Sequence, residues 1–197
     1  MRLRAIEPRD RPTLVGFDRD PADHGSPQVG GYRHWAAHRV RTPESGEDLQ
    51  FAIEALDSGV LVGSVSAVQA DATPDRFGYG IGIGPRHRRR GYATDAITTL
   101  LALMFGQRGY RTCEVGIYGG NAASLALHAA LGFREEKRLL DPGPSPDGFR
   151  HLVLMTITAR EFAALHPVRT GSPDAGGPGR GRHWREPRER HRPAREG

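Results

Sequence analysis

The chain has 197 residues, with 28 basic and 23 acidic side chains, a net charge of +5 and 37% hydrophobic residues. No stretch reaches the roughly 18 apolar residues that a membrane-spanning helix needs, so the composition excludes a transmembrane protein. The first ten residues are charged and contain no apolar signal core, and we therefore expect a cytoplasmic protein.

The surplus positive charge lies at the end of the chain. Residues 166–197 hold eight arginines and four acidic residues, which leaves 20 basic and 19 acidic residues in 1–165. The charge by itself therefore does not indicate a nucleic-acid-binding domain. The last segment is rich in Pro, Gly and Arg and has little to bury, so we predict a domain over 1–165 followed by a disordered tail over 166–197. A solvated tail without a partner is favoured over one that contacts RNA.

The apolar periodicity predicts an α/β domain. Residues 10–50 are irregular, with weak helical stretches at 12–17 and 32–40. The regular elements, in chain order, are strands at 2–6, 49–56, 60–67 and 77–83, a helix at 93–105, a strand at 112–118, a helix at 121–131, and strands at 134–140 and 149–158. This order predicts a mixed sheet.

The single cysteine, Cys113, excludes an intrachain disulfide. It lies in the alternating run 112–118, and no residue near it in sequence suggests a partner base. We predict a buried structural thiol rather than a catalytic one.

The strand at 77–83 and the residue after it have an unusual pattern, in which glycine occupies every second position from Gly78 to Gly84. Because alternate residues of a strand share a face, one face of this strand carries no side chains. Glycine in a strand marks a place where something approaches the backbone closely. The pattern alone fits equally a tightly packed helix and a thin ligand lying along the strand.

A basic run precedes the helix at 93–105. Arg86, His87 and three further arginines stand before Gly91. Cations at a helix N-terminus oppose the macrodipole, so folding alone would favour Asp or Ser there. Free N–H groups, a flexible glycine and positive charge together suit an anion, above all phosphate. The alternative is a solvated basic loop.

Other phosphate and metal motifs are missing from the sequence. There is no GxxxxGK[ST], and the only lysine, Lys137, follows Glu136. GxGxxG also fails, and no HExxH or CxxC spacing occurs, so we expect no metal.

The run 88–93, RRRGYA, fits the pattern [QR]-x-x-G-x-[GA] and resembles the GCN5-related N-acetyltransferase (GNAT) superfamily. A second match follows in NAAS at 121–124 and LGF at 131–133. The combined segments are similar to the subgroup of ribosomal-protein and spermidine acetyltransferases. The resemblance covers about residues 1–160 and is strongest over 77–133. It implies a mostly antiparallel mixed sheet of six to seven strands, flanked by helices and splayed between strands 4 and 5.

The resemblance implies that acetyl-CoA is the co-substrate. Its pantetheine arm would lie between the splayed strands, and a backbone N–H near Ile81 to Ile83 would polarise the acetyl carbonyl. Asn121 matches a residue that contacts the cofactor in relatives and could also be a helix N-cap, while Ser124 would serve the same helix start. The pyrophosphate would be bound by the loop and helix start made of Arg88, Arg89, Arg90, Gly91, Tyr92, Ala93 and Thr94.

The catalytic groups are only partly assigned by the resemblance. His128 stands where many members carry a tyrosine that protonates the leaving thiolate, and histidine can donate a proton near neutral pH. The alternative is a histidine at the edge of a short helix. The glutamate that serves many relatives as base is absent, since Arg76 and Phe77 occupy that stretch. The base stays unassigned, with Glu54, Asp71, Asp75 or a water relay as alternatives.

The sequence thus predicts an N-acetyltransferase in which a primary amine attacks acetyl-CoA directly. The acceptor would be a small-molecule amine or a peptide N-terminus, bound by about residues 13–50 and 141–150. We expect no membrane partner, no nucleic acid except through the basic tail, and the family allows a homodimer. The main alternative is a non-catalytic CoA-binding or regulatory protein of the same fold.

Overall fold

The computed structural model describes residues 1–19, 49–69, 75–141 and 150–167. Within these ranges seven strands form one sheet in the order β1-β2-β3-β4-β5-β7-β6. The strands are β1 (Arg2–Ala5), β2 (Leu49–Glu54), β3 (Leu61–Gln69), β4 (Arg76–Ile83), β5 (Thr112–Tyr118), β6 (Arg134–Asp141) and β7 (Arg150–Thr158). Neighbouring strands are antiparallel except β4 and β5, which are parallel. The predicted mixed, mostly antiparallel sheet is confirmed, with strand ends within two residues of those expected.

Four α-helices accompany the sheet in the described ranges. They are α1 (Arg11–Arg19), α2 (Tyr92–Gly106), α3 (Ala122–Ala130) and α4 (Ala159–Leu165). The weak helical stretch at 12–17 lies in α1, whereas the one at 32–40 lies outside the described residues. None of the four is long and apolar enough to cross a membrane.

The short helix α4 is absent from the sequence-based prediction. Its sequence signal is a capping box, in which the Glu161 N–H donates to the Thr158 hydroxyl at 3.3 Å and the Thr158 N–H donates to the Glu161 carboxylate at 2.9 Å. This reciprocal pair satisfies two backbone N–H groups at the helix start. The last helical bond runs from the His166 N–H to the Phe162 carbonyl at 2.9 Å. The tail beyond residue 167 lies outside the described residues, and its disorder stays a prediction.

The core lies between the sheet and helices α2 and α4. One face of α2 is buried, with Ala96, Ile97, Leu100, Leu101 and Met104 at 2% exposure or less. Burying a side chain the size of leucine contributes about 1.5–3 kcal/mol, so this face fixes α2 on the sheet. The ring of Phe77 in β4 packs against Phe105 and Tyr110, with centroids 5.7 and 5.2 Å away.

Cys113 lies in this core and is fully buried, as the sequence predicted. Burial raises the pKa of its thiol well above the ordinary value, because it disfavours the charged thiolate. A buried thiol with a raised pKa suits the structural role.

Strands β4 and β5 separate soon after they begin. Their register has two pairs, Arg76 with Thr112 and Phe77 with Cys113. On its other side, β4 stays paired with β3 from Phe77 to Ile83. The expected splay between strands 4 and 5 is confirmed, and among the described residues it leaves one edge of β4 without a strand partner from Gly78 onward.

Candidate active site

The open edge of β4 presents backbone N–H groups to the gap beside β5. The Gly84 N–H donates to the Val62 carbonyl at 2.9 Å and therefore points toward β3. Successive residues of a strand point their N–H groups to opposite sides, so those of Ile83 and Ile81 point away from β3. Ile81 and Ile83, the two candidate donors from the sequence, thus both have their N–H groups on the edge of β4 that borders the gap.

The glycine face of β4 is partly packed and partly open. A Cβ added at Gly84 would lie 2.6 Å from the Phe17 ring of α1, so a helix packs closely there. At Gly80 the nearest atom would be the Ser66 hydroxyl oxygen at 3.6 Å, which is an ordinary contact distance. Of the two interpretations of the pattern, helix packing explains Gly84, whereas at Gly80 a methyl group would fit without a close contact.

The loop before α2 has the backbone of an anion site. Arg89 has φ of 61° and Gly91 has φ of 80°, both in the left-handed region. Left-handed residues in a turn direct successive N–H groups into one concavity, which binds anions. A left-handed non-glycine residue costs roughly 1–2 kcal/mol, so Arg89 holds this shape at the expense of stability.

The start of α2 has no side-chain cap, since Gly91 is its N-cap residue. The first helical bond runs from the Asp95 N–H to the Gly91 carbonyl at 3.1 Å. The N–H groups of Tyr92, Ala93 and Thr94 come before this first bond, so they have no carbonyl partner within the helix. These amides are available to an external anion.

The arginines of this loop are at the surface. Arg86, Arg88, Arg89 and Arg90 are all exposed. The Arg88 Nε donates to the Ile83 carbonyl at 3.2 Å and so joins the loop to the end of β4. The exposed arginines thus lie next to the start of α2, where the first N–H groups have no side-chain cap.

The start of α3 is capped in the ordinary way. The Ser124 N–H donates to the Asn121 Oδ1 at 3.1 Å, which makes Asn121 the N-cap residue. The capping role of Asn121 is therefore present in the structure. Its contact with a cofactor, and that of Ser124, stay predictions.

His128 lies in the last turn of the short helix α3 and is buried, with 3% of its surface exposed. Its Nδ1 lies 2.7 Å from the Ser124 carbonyl oxygen, and its Nε2 lies 2.8 Å from the Tyr79 hydroxyl. Because a carbonyl only accepts, Nδ1 carries the proton. In the neutral ring Nε2 is then an acceptor, and the Tyr79 hydroxyl donates to it.

Both members of this pair have shifted pKa values. Burial lowers the pKa of His128, and the bond to the Ser124 carbonyl opposes that shift. Burial also raises the pKa of Tyr79 well above its ordinary value. The resting pair is therefore neutral, and His128 has no proton on the nitrogen that faces Tyr79. Direct proton donation by His128 stays a prediction, and Tyr79 is a residue that the sequence-based analysis missed.

The alternatives for the base are placed differently. The Glu54 carboxylate accepts hydrogen bonds from Arg4 at 2.6 Å and Arg2 at 2.9 Å, and the bond from Arg4 chiefly lowers its pKa. A carboxylate held in this way by two guanidinium groups is poorly suited to take a proton. Asp75 precedes the end of β4 that is paired with β5, and Asp71 lies outside the described residues.

The profile of the acetyltransferase (GNAT) domain family matches residues 1–134 of the chain. The protein belongs to the GNAT family. It is therefore an N-acetyltransferase, an acyltransferase that depends on acetyl-CoA. The splayed strands β4 and β5 and the uncapped start of α2 both lie within the matched residues 1–134.

A relative in sequence agrees with this membership, and solved structures are similar in fold. The chain is 26% identical over 173 residues to an uncharacterized SPbeta prophage-derived N-acetyltransferase, YokL, of Bacillus subtilis, covering 83% of this chain and 93% of that protein. A spermidine N-acetyltransferase from Vibrio cholerae, solved with CoA and spermine, has a TM-score of 0.66 at 17% identity, over 82% of this chain and 96% of the other.

An N-acetyltransferase from Staphylococcus aureus Mu50 has a TM-score of 0.64 at 20% identity, over 80% of this chain and 98% of the other. At these identities the solved structures are likenesses of fold. They share the overall fold of this chain.

Proposed function

We propose that this GNAT protein transfers the acetyl group of acetyl-CoA to a primary amine by direct attack within a ternary complex. The amine belongs to a small molecule or to a peptide N-terminus. The observation that carries the proposal is the start of α2, where left-handed Arg89 and Gly91 lead into uncapped amides beside exposed arginines. Arginines at a helix start do not stabilise the folded protein, whereas a pyrophosphate there would accept hydrogen bonds from the free N–H groups and balance the positive charge.

The residues at this helix start fit the cofactor's pyrophosphate. The amides of residues 89–94 would donate to the phosphate oxygens, and Arg88, Arg89 and Arg90 would add charge-assisted contacts. Gly91 suits the loop because its φ of 80° disfavours any side chain. When bound, acetyl-CoA supplies the activated acetyl group.

The gap between β4 and β5 fits the cofactor's narrow arm. The space beside Gly80 and the absence of a strand partner support a thin ligand along β4. The N–H of Ile81 or Ile83 would donate to the acetyl oxygen as negative charge develops on it. Losing one such donor typically raises a barrier by about 2.7–4 kcal/mol.

At α3 we propose a double role for Asn121. Its Oδ1 caps the helix by accepting from the Ser124 N–H, which leaves its Nδ2 group to contact the cofactor. Ser124 contributes chiefly through its backbone, since its carbonyl holds His128 at 2.7 Å. The helix start and the cofactor contact are then fixed by the same two residues.

We propose that His128 acts through Tyr79. When His128 is protonated, Nε2–H donates to the Tyr79 oxygen, and the Tyr79 O–H passes its proton to the leaving sulfur. Because burial lowers the pKa of His128, the imidazolium is a stronger acid than usual and tends to return to its neutral form. The hydrogen bond of 2.8 Å between the two side chains supports this relay.

Two substitutions test the relay against direct donation. We expect Tyr79→Phe and His128→Gln each to lower kcat by about 100-fold, the lower end of general acid–base effects, while acetyl-CoA affinity changes less than about threefold. Steady-state kinetics and calorimetric titration measure these quantities. If Tyr79→Phe keeps the wild-type kcat while His128→Gln loses it, His128 donates directly and the relay is wrong.

An acceptor screen tests the transfer itself. Release of CoA would be followed with polyamines, aminoglycosides, amino acids and peptides with free N-termini. The likeness to a spermidine acetyltransferase makes spermidine the first amine to test. We expect saturable CoA release with at least one primary amine. Tight acetyl-CoA binding without CoA release from any amine would instead identify a non-catalytic CoA-binding protein.

A further inference from the structure

A carboxylate on β5 lies beside the glycine face of β4. The buried residues Cys113, Val115 and Ile117 place alternate side chains of β5 in the core. Because Cys113 pairs with Phe77, the residues that follow each of them, Glu114 and Gly78, share the opposite face of the sheet. Glu114 thus stands where the two strands begin to separate.

At this point β4 itself has no room for a side chain. A Cβ added at Gly78 would lie 3.0 Å from the Glu114 carbonyl oxygen, closer than such contacts normally come. The next position on this face of β5 is Gly116, which adds no side chain of its own. Beside Gly78 the neighbouring side chain on this face is therefore that of Glu114, which carries a carboxylate.

The Glu114 carboxylate is oriented and partly accessible. The Arg76 Nη1 donates to its Oε2 at 2.8 Å, and the two side chains are 34% and 32% exposed, respectively. No other contact of this carboxylate occurs among the described residues, so Oε1 is available to a ligand. Glu114 is also the only acidic residue carried by β4 or β5.

We propose that Glu114 is the general base of acetyl transfer. The inference rests on the proposed function, in which an amine that is protonated at neutral pH must lose a proton before it attacks. An N–H bond of the ammonium breaks and its proton passes to Glu114 Oε1, and the freed electron pair forms the bond to the acetyl carbon as the C–S bond breaks. The second proton of the nitrogen is lost to solvent as the neutral amide forms, and the sulfur takes its proton from the Tyr79 relay. The Ile81 and Ile83 amides on the neighbouring edge of β4 face the same gap. Arg76 is a positioning residue that holds the carboxylate by Oε2.

The test compares Glu114→Gln with Arg76→Gln, which breaks the same ion pair but keeps the carboxylate. The acceptor is spermidine or, if spermidine is not acetylated, the fastest amine of the screen. At pH 7 we expect Glu114→Gln to lower kcat by about 100-fold or more, and Arg76→Gln by less than about tenfold. Acetyl-CoA affinity, measured by calorimetry, should stay within about threefold in both. Glu135→Gln, an exposed carboxylate paired with Arg138 on β6, is the matched control and should keep the wild-type kcat.

A pH series separates a base from a structural or anchoring group. Near pH 10 an aliphatic amine loses its proton to solvent, so the defect of Glu114→Gln should shrink at least tenfold. Three results would overturn the assignment while leaving the proposed function intact: equal losses in Glu114→Gln and Arg76→Gln, a defect that does not change with pH, or a raised KM for the amine with kcat retained. A wild-type protein that acetylates no amine would overturn the proposed function and this assignment together.

Discussion

Helices α4 and α2 begin in opposite ways. The start of α4 is closed by its own side chains, with Thr158 and Glu161 satisfying each other's backbone N–H groups. The start of α2 has no side-chain cap, and arginines precede it where an acidic or hydroxyl residue would favour the helix. One end is arranged for stability, and the other sacrifices stability in the absence of an anion.

The start of α3 lies between these extremes. Asn121 caps it with Oδ1, as in a purely structural helix, while the same residue matches a cofactor contact of the GNAT family. The three starts therefore differ in how much of their hydrogen-bonding capacity is left for a ligand. We therefore expect substitutions at the three starts to change protein stability and acetyl-CoA affinity in different proportions.

The largest expected effect is that of Gly91→Glu. A carboxylate at the α2 start would oppose the pyrophosphate, and like charges in contact cost several kcal/mol, which corresponds to at least about a 100-fold loss of acetyl-CoA affinity. Calorimetric titration measures this loss. The matched control is Gly109→Glu, beyond the other end of α2, where φ is 75° and a Cβ meets nothing within 4 Å, as at Gly91. Equal loss of affinity in both variants would attribute the effect to strain rather than to the site.

A smaller effect is expected for Arg89→Asn. Asparagine tolerates the left-handed φ of 61° and removes a cation from the helix start, so the free energy of unfolding should rise by about 1 kcal/mol. Acetyl-CoA affinity should fall by about tenfold with the loss of one charge-assisted contact. Arg111→Asn, which removes an exposed arginine just before β5, is the control and should change neither quantity. A variant that is less stable and binds equally well would contradict the trade-off.

The smallest effect on binding is expected at α4. Thr158→Ala removes the capping hydroxyl and should lower the free energy of unfolding by about 1 kcal/mol, because the Glu161 N–H loses its acceptor. Urea unfolding measures this, and acetyl-CoA affinity should stay at the wild-type value. A clear loss of affinity would mean that the two helix starts are not separable in function.

The backbone features that we propose bind the cofactor could be predicted because their sequence signals are local. The arginine run, Gly91 and the alternating glycines of β4 are contiguous in sequence, and each reports a backbone property of its own segment. The exposed α2 start and the open edge beside Ile81 and Ile83 follow from such local features together with strand alternation.

The contacts among the proposed catalytic residues could not be predicted in the same way. Tyr79 and His128 are 49 positions apart and meet only because α3 packs against β4, and nothing in either segment marks the other. Glu114 acquires its position from the register at which β5 joins β4, which is a property of the folded sheet. Helix α4 is different, since Thr158 and Glu161 form a recognisable local capping signature that the periodicity analysis passed over.

The most direct test of the central claim is a backbone amide titration by NMR with acetyl-CoA. If the α2 start binds the pyrophosphate, the largest ¹H–¹⁵N shift changes should cluster in residues 89–94, with smaller changes at Ile81, Ile83 and Asn121. At the start of α4 the amides of Thr158, Ala159 and Glu161 should stay unchanged because their hydrogen-bond partners are already in place. Shift changes concentrated at the start of α4, with residues 89–94 unaffected, would contradict the account.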